Sequence, residues 1–331
     1  MTRPNPLPVR SPLDLLRLDC PQYQIIMRVV GDKLFYLAEA TAPGVQPRFA
    51  QAETVEGLRA KLSVRVKEFT VTEPSIPRVW DFLLGGKENF TTDREQAAKL
   101  LAVFPRAAEL ARESREFQRR AVAHVAGAGV RQFLDLGCGL PTSPATHEVA
   151  QEVQPGSVVA YVDNDELVMS RARSLLARAP GVLAVAGDLT RPGDILYDWR
   201  IRQAIDFHPP VAVVLAMSLH FFEATAARAI TGQLAAGLPP GSYLIVSTGQ
   251  LDGEIAGEFT GQYTAGHLHH HTRGDLAGFM AGLDLIEPGI TEARLWRPPA
   301  PVPADPTRRG RIWAAVARTP TPPEAGQPLL S

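Results

Sequence analysis

Phe133-Leu134-Asp135-Leu136-Gly137-Cys138-Gly139 decides the fold: an apolar strand carrying an acid near its end, followed by a glycine-spaced turn. Glycines in such a turn accept positive φ and leave the backbone bare, so a ligand can approach it closely. Outward from this stretch, short β-branched runs alternate with helical patterns. Strands are expected at Gln132–Leu136, 157–163, Val182–Ala186, 211–217 and 242–247, with helices between them. That alternation predicts an α/β core, a parallel sheet wound on both faces. A helix near 275–281 follows, and 285–296 with 310–318 read as a closing pair of strands around the proline-rich 298–306.

Upstream the pattern differs. Residues 1–22 are proline-rich and aperiodic, and are expected to be a flexible segment. Residues 23–30 and 33–40 read as a hairpin around Gly31-Asp32, with a short strand near 48–50. Leu58, Leu62 and Val66 then mark one helix face. Residues 23–69 are thus expected to form a small α+β module of βββα order, too short to hold together well alone. Residues 70–130 read as a linker and helical cap. One helix starts at Thr92, with Glu95 at capping-box spacing, and is interrupted at Pro105; a second carries Leu110, Phe117, Ala121 and Val125. The strand-rich domain spans 131–318, and 319–331 reads as a disordered tail.

Composition excludes several classes. The 331 residues are 45% hydrophobic and 21% charged, with 34 basic against 35 acidic side chains, so the chain is globular and carries no global charge for nucleic acid or an anionic membrane. The longest apolar runs fit a buried strand and fall short of the roughly 20 residues a spanning helix needs. Three prolines in the first eight residues argue against a secretory signal, so a cytoplasmic location is expected. Cys20 and Cys138 are too few for a disulfide scaffold and lack zinc spacing.

The chemistry gathers at strand ends. A dinucleotide fingerprint needs a third glycine where this chain has Thr142, so the nicotinamide reading is the weaker one. The second strand ends in Tyr161-Val162-Asp163-Asn164-Asp165, which puts the Asp163 carboxylate where a nucleotide's ribose hydroxyls want an acceptor. Asp165 reads as the N-cap of the next helix. The third strand ends in Ala186-Gly187-Asp188-Leu189, where Asp188 can accept from an adenine amino group or cap a helix.

With these residues in view, 132–318 resembles the class I S-adenosylmethionine (SAM) dependent methyltransferases. More closely, three runs resemble an actinobacterial methyltransferase family once listed as a domain of unknown function. They are Arg78-Val79-Trp80-Asp81-Phe82-Leu83-Leu84-Gly85-Gly86-Lys87-Glu88-Asn89-Phe90, the run from Leu134 through Thr142, and Tyr161-Val162-Asp163-Asn164-Asp165. The family more often has threonine at Cys138, and its pattern includes neither the small N-terminal module nor the His-rich loop. The resemblance implies a Rossmann-like, seven-stranded sheet with a helical N-terminal cap. It implies SAM held by Asp135, Gly137 and Gly139 at the methionine part, by Asp163 at the ribose, and by Asp188 with Leu189 at the adenine, with Asn164 a further cofactor-binding residue. Gly85-Gly86-Lys87 is not a phosphate loop, because Glu88 stands where Ser or Thr must bind magnesium. Lys87 is either a partner for the SAM carboxylate or a solvated lysine at a helix turn.

The acceptor is not named by the sequence. His220, in Ser218-Leu219-His220-Phe221-Phe222 after the fourth strand, is the candidate general base, with a structural histidine as the competing reading. The segment lacks the Asn/Asp-Pro-Pro-Tyr/Phe run of adenine methylation and the Pro-Cys of cytosine methylation, so a small-molecule acceptor is expected and no nucleic acid. Phe221, Phe222, Phe259 and Tyr263 could line an apolar pocket or serve as ordinary core. The run Gly266-His267-Leu268-His269-His270-His271 lacks metal-site spacing, so no metal is expected and a mobile loop at the acceptor site is the reading. An enzyme with an accessory or partner-binding N-terminal module is the leading reading. A SAM-binding regulatory protein without turnover, or a nicotinamide enzyme on a related sheet, are the alternatives.

Overall fold

The computed structural model describes residues 23–30, 33–40, 49–52, 58, 73–140, 142–176 and 179–321. The chain divides into two compact units, 1–71 and 72–331.

In the first unit, β1 (Tyr23–Val30), β2 (Lys33–Ala40) and β3 (Phe49–Ala52) form an antiparallel sheet in that order. Pairing of β1 with β2 closes at Val30 and Lys33, as the hairpin reading requires. Leu58 is helical. The segment 1–22 and the expected helix positions Leu62 and Val66 lie outside the described residues.

The second unit begins with three helices, α1 (Ile76–Leu83), α2 (Thr91–Val103) and α3 (Ala107–Gly127). The start of α2 differs from the Thr92–Glu95 box. The helix begins at Thr91, and Asp93 accepts from the Phe90 backbone N–H at 2.8 Å while pairing with buried Arg78 at 2.8 Å. The acid that tethers the cap was therefore the one two residues nearer the start. Pro105 separates α2 from α3, as its missing N–H dictates.

The α/β core follows: β4 (Gln132–Leu136), α4 (Thr146–Val153), β5 (Val158–Asp163), α5 (Glu166–Leu176), β6 (Val182–Ala186), α6 (Pro192–Leu196), α7 (Trp199–Ala204) and β7 (Ala212–Ala216). It continues with α8 (Ala224–Gly237), β8 (Tyr243–Leu251), α9 (Gly253–Gln262), α10 (Arg273–Phe279), β9 (Asp284–Leu285), β10 (Thr291–Glu292) and β11 (Gly310–Arg318). The sheet order is β6-β5-β4-β7-β8-β11, with the first five strands parallel and β11 antiparallel. Both β9 and β10 pair with the far side of β11. The sixth strand of the expected seven is thus split into two two-residue pieces by Glu287-Pro288-Gly289, where proline offers no ladder donor.

Alternation along the strands gives the sheet two apolar faces. Phe133, Val159, Tyr161, Val214 and Ile245 pack toward the side of α1 to α4, whereas Leu134, Leu136, Val162, Val213 and Val246 pack toward that of α6, α8 and α10. Thr319, read as the start of a tail, is buried: its backbone N–H donates to Ser242 O at 2.8 Å and its hydroxyl accepts from Ser242 N at 2.9 Å. Among the described residues no helix is long and apolar enough to cross a membrane.

Candidate active site

The carboxyl ends of the parallel strands open into a cavity of about 370 Å³, within the range of about 300–1,000 Å³ usual for cofactor and small-molecule sites. Its floor is the turn after β4. Gly137 (φ +66°) and Gly139 (φ +61°) are both left-handed, and a Cβ on Gly137 would stand 2.6 Å from Ser218 Cβ. The turn is fixed to the next strand: Gly137 N donates to Val162 O at 2.8 Å, and Gly139 N donates to Asp163 Oδ2 at 2.9 Å. The other Asp163 oxygen accepts from Asp165 N at 3.0 Å. Burial pushes the Asp163 carboxyl up, opposed by these backbone donors. Asp165 caps α5 as expected, accepting from Val168 N at 3.2 Å.

Of the residues expected to hold SAM, Gly137, Gly139, Asp163, Asn164, Asp188 and Leu189 line the cavity together. Asp188 is exposed at the rim, and its Oδ1 accepts from Thr190 N at 2.8 Å. Asp135 and Lys87, expected with them, are not among the residues that line the cavity. Asp135 is only 3% exposed and is not part of the lining. Strand alternation turns it to the Phe133 face, beneath α3 and α4, where it accepts from Thr146 Oγ1 at 2.5 Å and Gln118 Nε2 at 3.2 Å. Burial raises its pKa. Lys87 is exposed and away from the cavity wall. The surrounding motif is structural: buried Asp81 accepts from Glu88 N at 2.9 Å and Asn89 Nδ2 at 2.8 Å, holding the turn after α1.

The cation that does line the cavity is Arg115, on α3. Its Nη1 donates to Gln118 Oε1 at 2.8 Å, and its Nε is buried without a hydrogen-bond partner. Gln118 in turn donates to Asp135, so the strand acid acts through Gln118 to hold the guanidinium at the wall. Desolvation pulls the Arg115 pKa down, with the Asp135 charge opposing it. The sequence carried a signal for this residue: Ala111, Arg115, Gln118 and Val122 follow a helical stripe whose other three members are buried.

His220 sits past β7, in a one-turn 3₁₀ helix (Leu219–Phe221), and lines the cavity. Met217 just before it holds φ +58°, a left-handed conformation costly for a side chain, and swings Ser218 and His220 toward the strand tips. Ser218 Oγ and His220 Nδ1 are both buried and without hydrogen-bond partners. Burial, with His271, His270 and His269 close by, lowers the His220 pKa from its ordinary 6.5 to about 3, so the ring is neutral at neutral pH.

The His-rich segment is hydrogen-bonded to its surroundings. His269 N donates to His220 O at 2.7 Å, His271 N donates to Gly249 O at 3.1 Å, and His270 Nε2 lies 3.1 Å from Thr260 Oγ1. Leu268, His269 and His270 contribute to the cavity wall. Among the described residues no three of His, Cys, Asp and Glu converge as a metal-holding group. Cys138 is buried at the wall, and burial raises its thiol pKa well above the ordinary range.

The sequence profile of the S-adenosyl methyltransferase family matches residues 63–320. A crystal structure from Thermobifida fusca, provisionally assigned as a methyltransferase, is 34% identical over 77% of this chain and 98% of its own, with a TM-score of 0.72. A Streptomyces avermitilis protein of the DUF574 family is 36% identical over 75% of this chain and 98% of its own, with a TM-score of 0.70. Among curated proteins none matches. Matches of this extent, on a sheet with a glycine turn after its first strand and an acid ending the second, have one meaning: the chain belongs to the S-adenosyl methyltransferase family, with the Rossmann-like class I fold.

Proposed function

We propose that the protein transfers a methyl group from SAM to a small-molecule acceptor by in-line displacement. The observation that carries this reading is Arg115: among the described residues, the guanidinium that lines the cavity beside the glycine turn, where it can pair with a bound carboxylate. In the same cavity Asp163 would accept from the ribose hydroxyls, Asp188 and Leu189 would border the adenine, and Gly137 and Gly139 let the backbone approach the methionine part. When bound, SAM supplies an electrophilic methyl group on a positively charged sulfur. The chain's own contribution is alignment and exclusion of water, and holding reactants in reactive geometry can lower a barrier by about 7–11 kcal/mol. His220 is the residue to take a proton, because a neutral imidazole at the cavity wall accepts without first losing one.

Calorimetric titration of S-adenosylhomocysteine, the demethylated product, tests the reading. Wild-type protein should bind it, and Asp163→Ala should weaken binding roughly 10- to 100-fold, the cost of losing a charged hydrogen-bond acceptor. Absence of binding to the wild-type protein would overturn it.

A further inference from the structure

The cavity is not uniform from end to end, and the sheet order says why. Its β5 and β6 end carries Asp163, Asp165 and Asp188, with Arg115 arriving from α3. Three to five strand spacings of about 4.8 Å away, at the ends of β8 and β11, the wall includes Leu251, Phe259, Tyr263, Leu268 and Ile312, with Phe104 from the cap. No Asp, Glu, Lys or Arg lines that second end. Ser218 and His220, following β7, line the cavity between the two ends.

We infer that the second end is the acceptor lobe and that its substrate is an uncharged aromatic hydroxyl compound whose O–H is presented to His220. The inference rests on the methyltransferase reading above. A charged acceptor would meet no opposite formal charge there, only Gln250, His269 and His270 among apolar side chains, a costly arrangement. Phe221 and Tyr263 stand with their rings 27° apart at a centroid distance of 6.4 Å, and with Phe259 they give the wall an aromatic surface. A hydroxyl supplies a donor to the neutral imidazole of His220, and the uncharged Gln250, His269 and His270 that also line the cavity call for no charge on the acceptor. As the acceptor oxygen bonds to the methyl carbon, the carbon–sulfur pair returns to sulfur and the hydroxyl proton passes to the imidazole, which leaves an uncharged ether and a thioether. His220 need not be a strong base for this, because a methylated oxygen still holding its proton is a far stronger acid than imidazolium.

The test is a binding series on the full-length protein saturated with S-adenosylhomocysteine, using naphthol, naphthoate and methylnaphthalene as probes. Naphthol should bind about tenfold more tightly than either naphthoate, which is charged, or methylnaphthalene, which lacks the donor. Phe259→Ala, in a helix with no buried residues, should weaken naphthol about fivefold and leave S-adenosylhomocysteine affinity unchanged. In His220→Phe the preference for naphthol over methylnaphthalene should vanish. Naphthoate binding as tightly as naphthol, naphthol indifferent to Phe259→Ala, or the preference surviving His220→Phe would each overturn the inference. Failure of the cofactor reading is seen separately, as no binding of S-adenosylhomocysteine in the first titration.

Discussion

Gly137→Ala should damage the protein in two separable ways. At φ +66° a residue with a Cβ sits in the left-handed region at a cost of about 1–2 kcal/mol. Its methyl group would also stand 2.6 Å from Ser218 Cβ, an overlap whose relief costs about 1–3 kcal/mol in a packed interior. The sum, about 2–5 kcal/mol, corresponds to a Tm lower by roughly 4–20 °C for a domain of this size. Denaturant unfolding of the wild type, Gly137→Ala, Ser218→Gly and the double variant measures both parts. Removing the Ser218 side chain takes away the atom the new methyl meets but leaves the dihedral cost, so the cycle should show a favourable coupling of about 1–3 kcal/mol. Additivity within about 0.5 kcal/mol would refute the contact, and a neutral Gly137→Ala would refute the turn geometry itself.

Arg115→Met should weaken S-adenosylhomocysteine roughly 10- to 100-fold while leaving methylthioadenosine, which lacks the amino-acid carboxylate, unaffected; Lys87→Ala should change neither affinity by calorimetry. His220 has a folded pKa of about 3, below its ordinary 6.5, so the unfolded chain holds the extra proton between those values. Its contribution to stability is full above about pH 6.5 and is lost as pH falls toward 3, and His220→Asn should flatten that part of a stability–pH curve measured by denaturant unfolding. Asp93→Ala would strand Arg78, whose side chain is 9% exposed, and would also release Phe90 N and Ser75 N. It should cost about 3–5 kcal/mol, with Asp93→Ala/Arg78→Met less destabilised than the sum of its singles.

Most of the core was legible because its strands are short β-branched runs bounded by turn residues. Gln132–Leu136 and Val182–Ala186 match residue for residue, and Asp165 caps its helix where local chemistry says it should. The site was legible where a residue ends a strand, as Asp163 does, since the tip of a parallel strand faces the crevice whatever packs elsewhere. Asp135 lies one residue inside its strand's end, so the pleat, not the tip, decides its direction. Lys87 lies outside the cavity lining for a different reason: its motif serves Asp81 and the turn after α1, and sequence alone does not separate residues that build a cap from residues that touch what it covers. Arg115 was missed because an arginine in a helix rich in Arg and Glu reads as solvated, although its stripe is a buried one.

The split outer strand has a consequence for how copies of this chain meet. An outermost strand normally offers a row of unpaired backbone donors and acceptors on which another molecule can extend the sheet. Here that flank is two fragments, 284–285 and 291–292, offset from one another by a three-residue bulge against β11 and separated by a proline that has no N–H to give. No template for continuous strand addition survives on that side. Among the described residues, the other margin of the large sheet is β6, an unbroken strand of five residues, so the two margins differ in what they offer to strand addition.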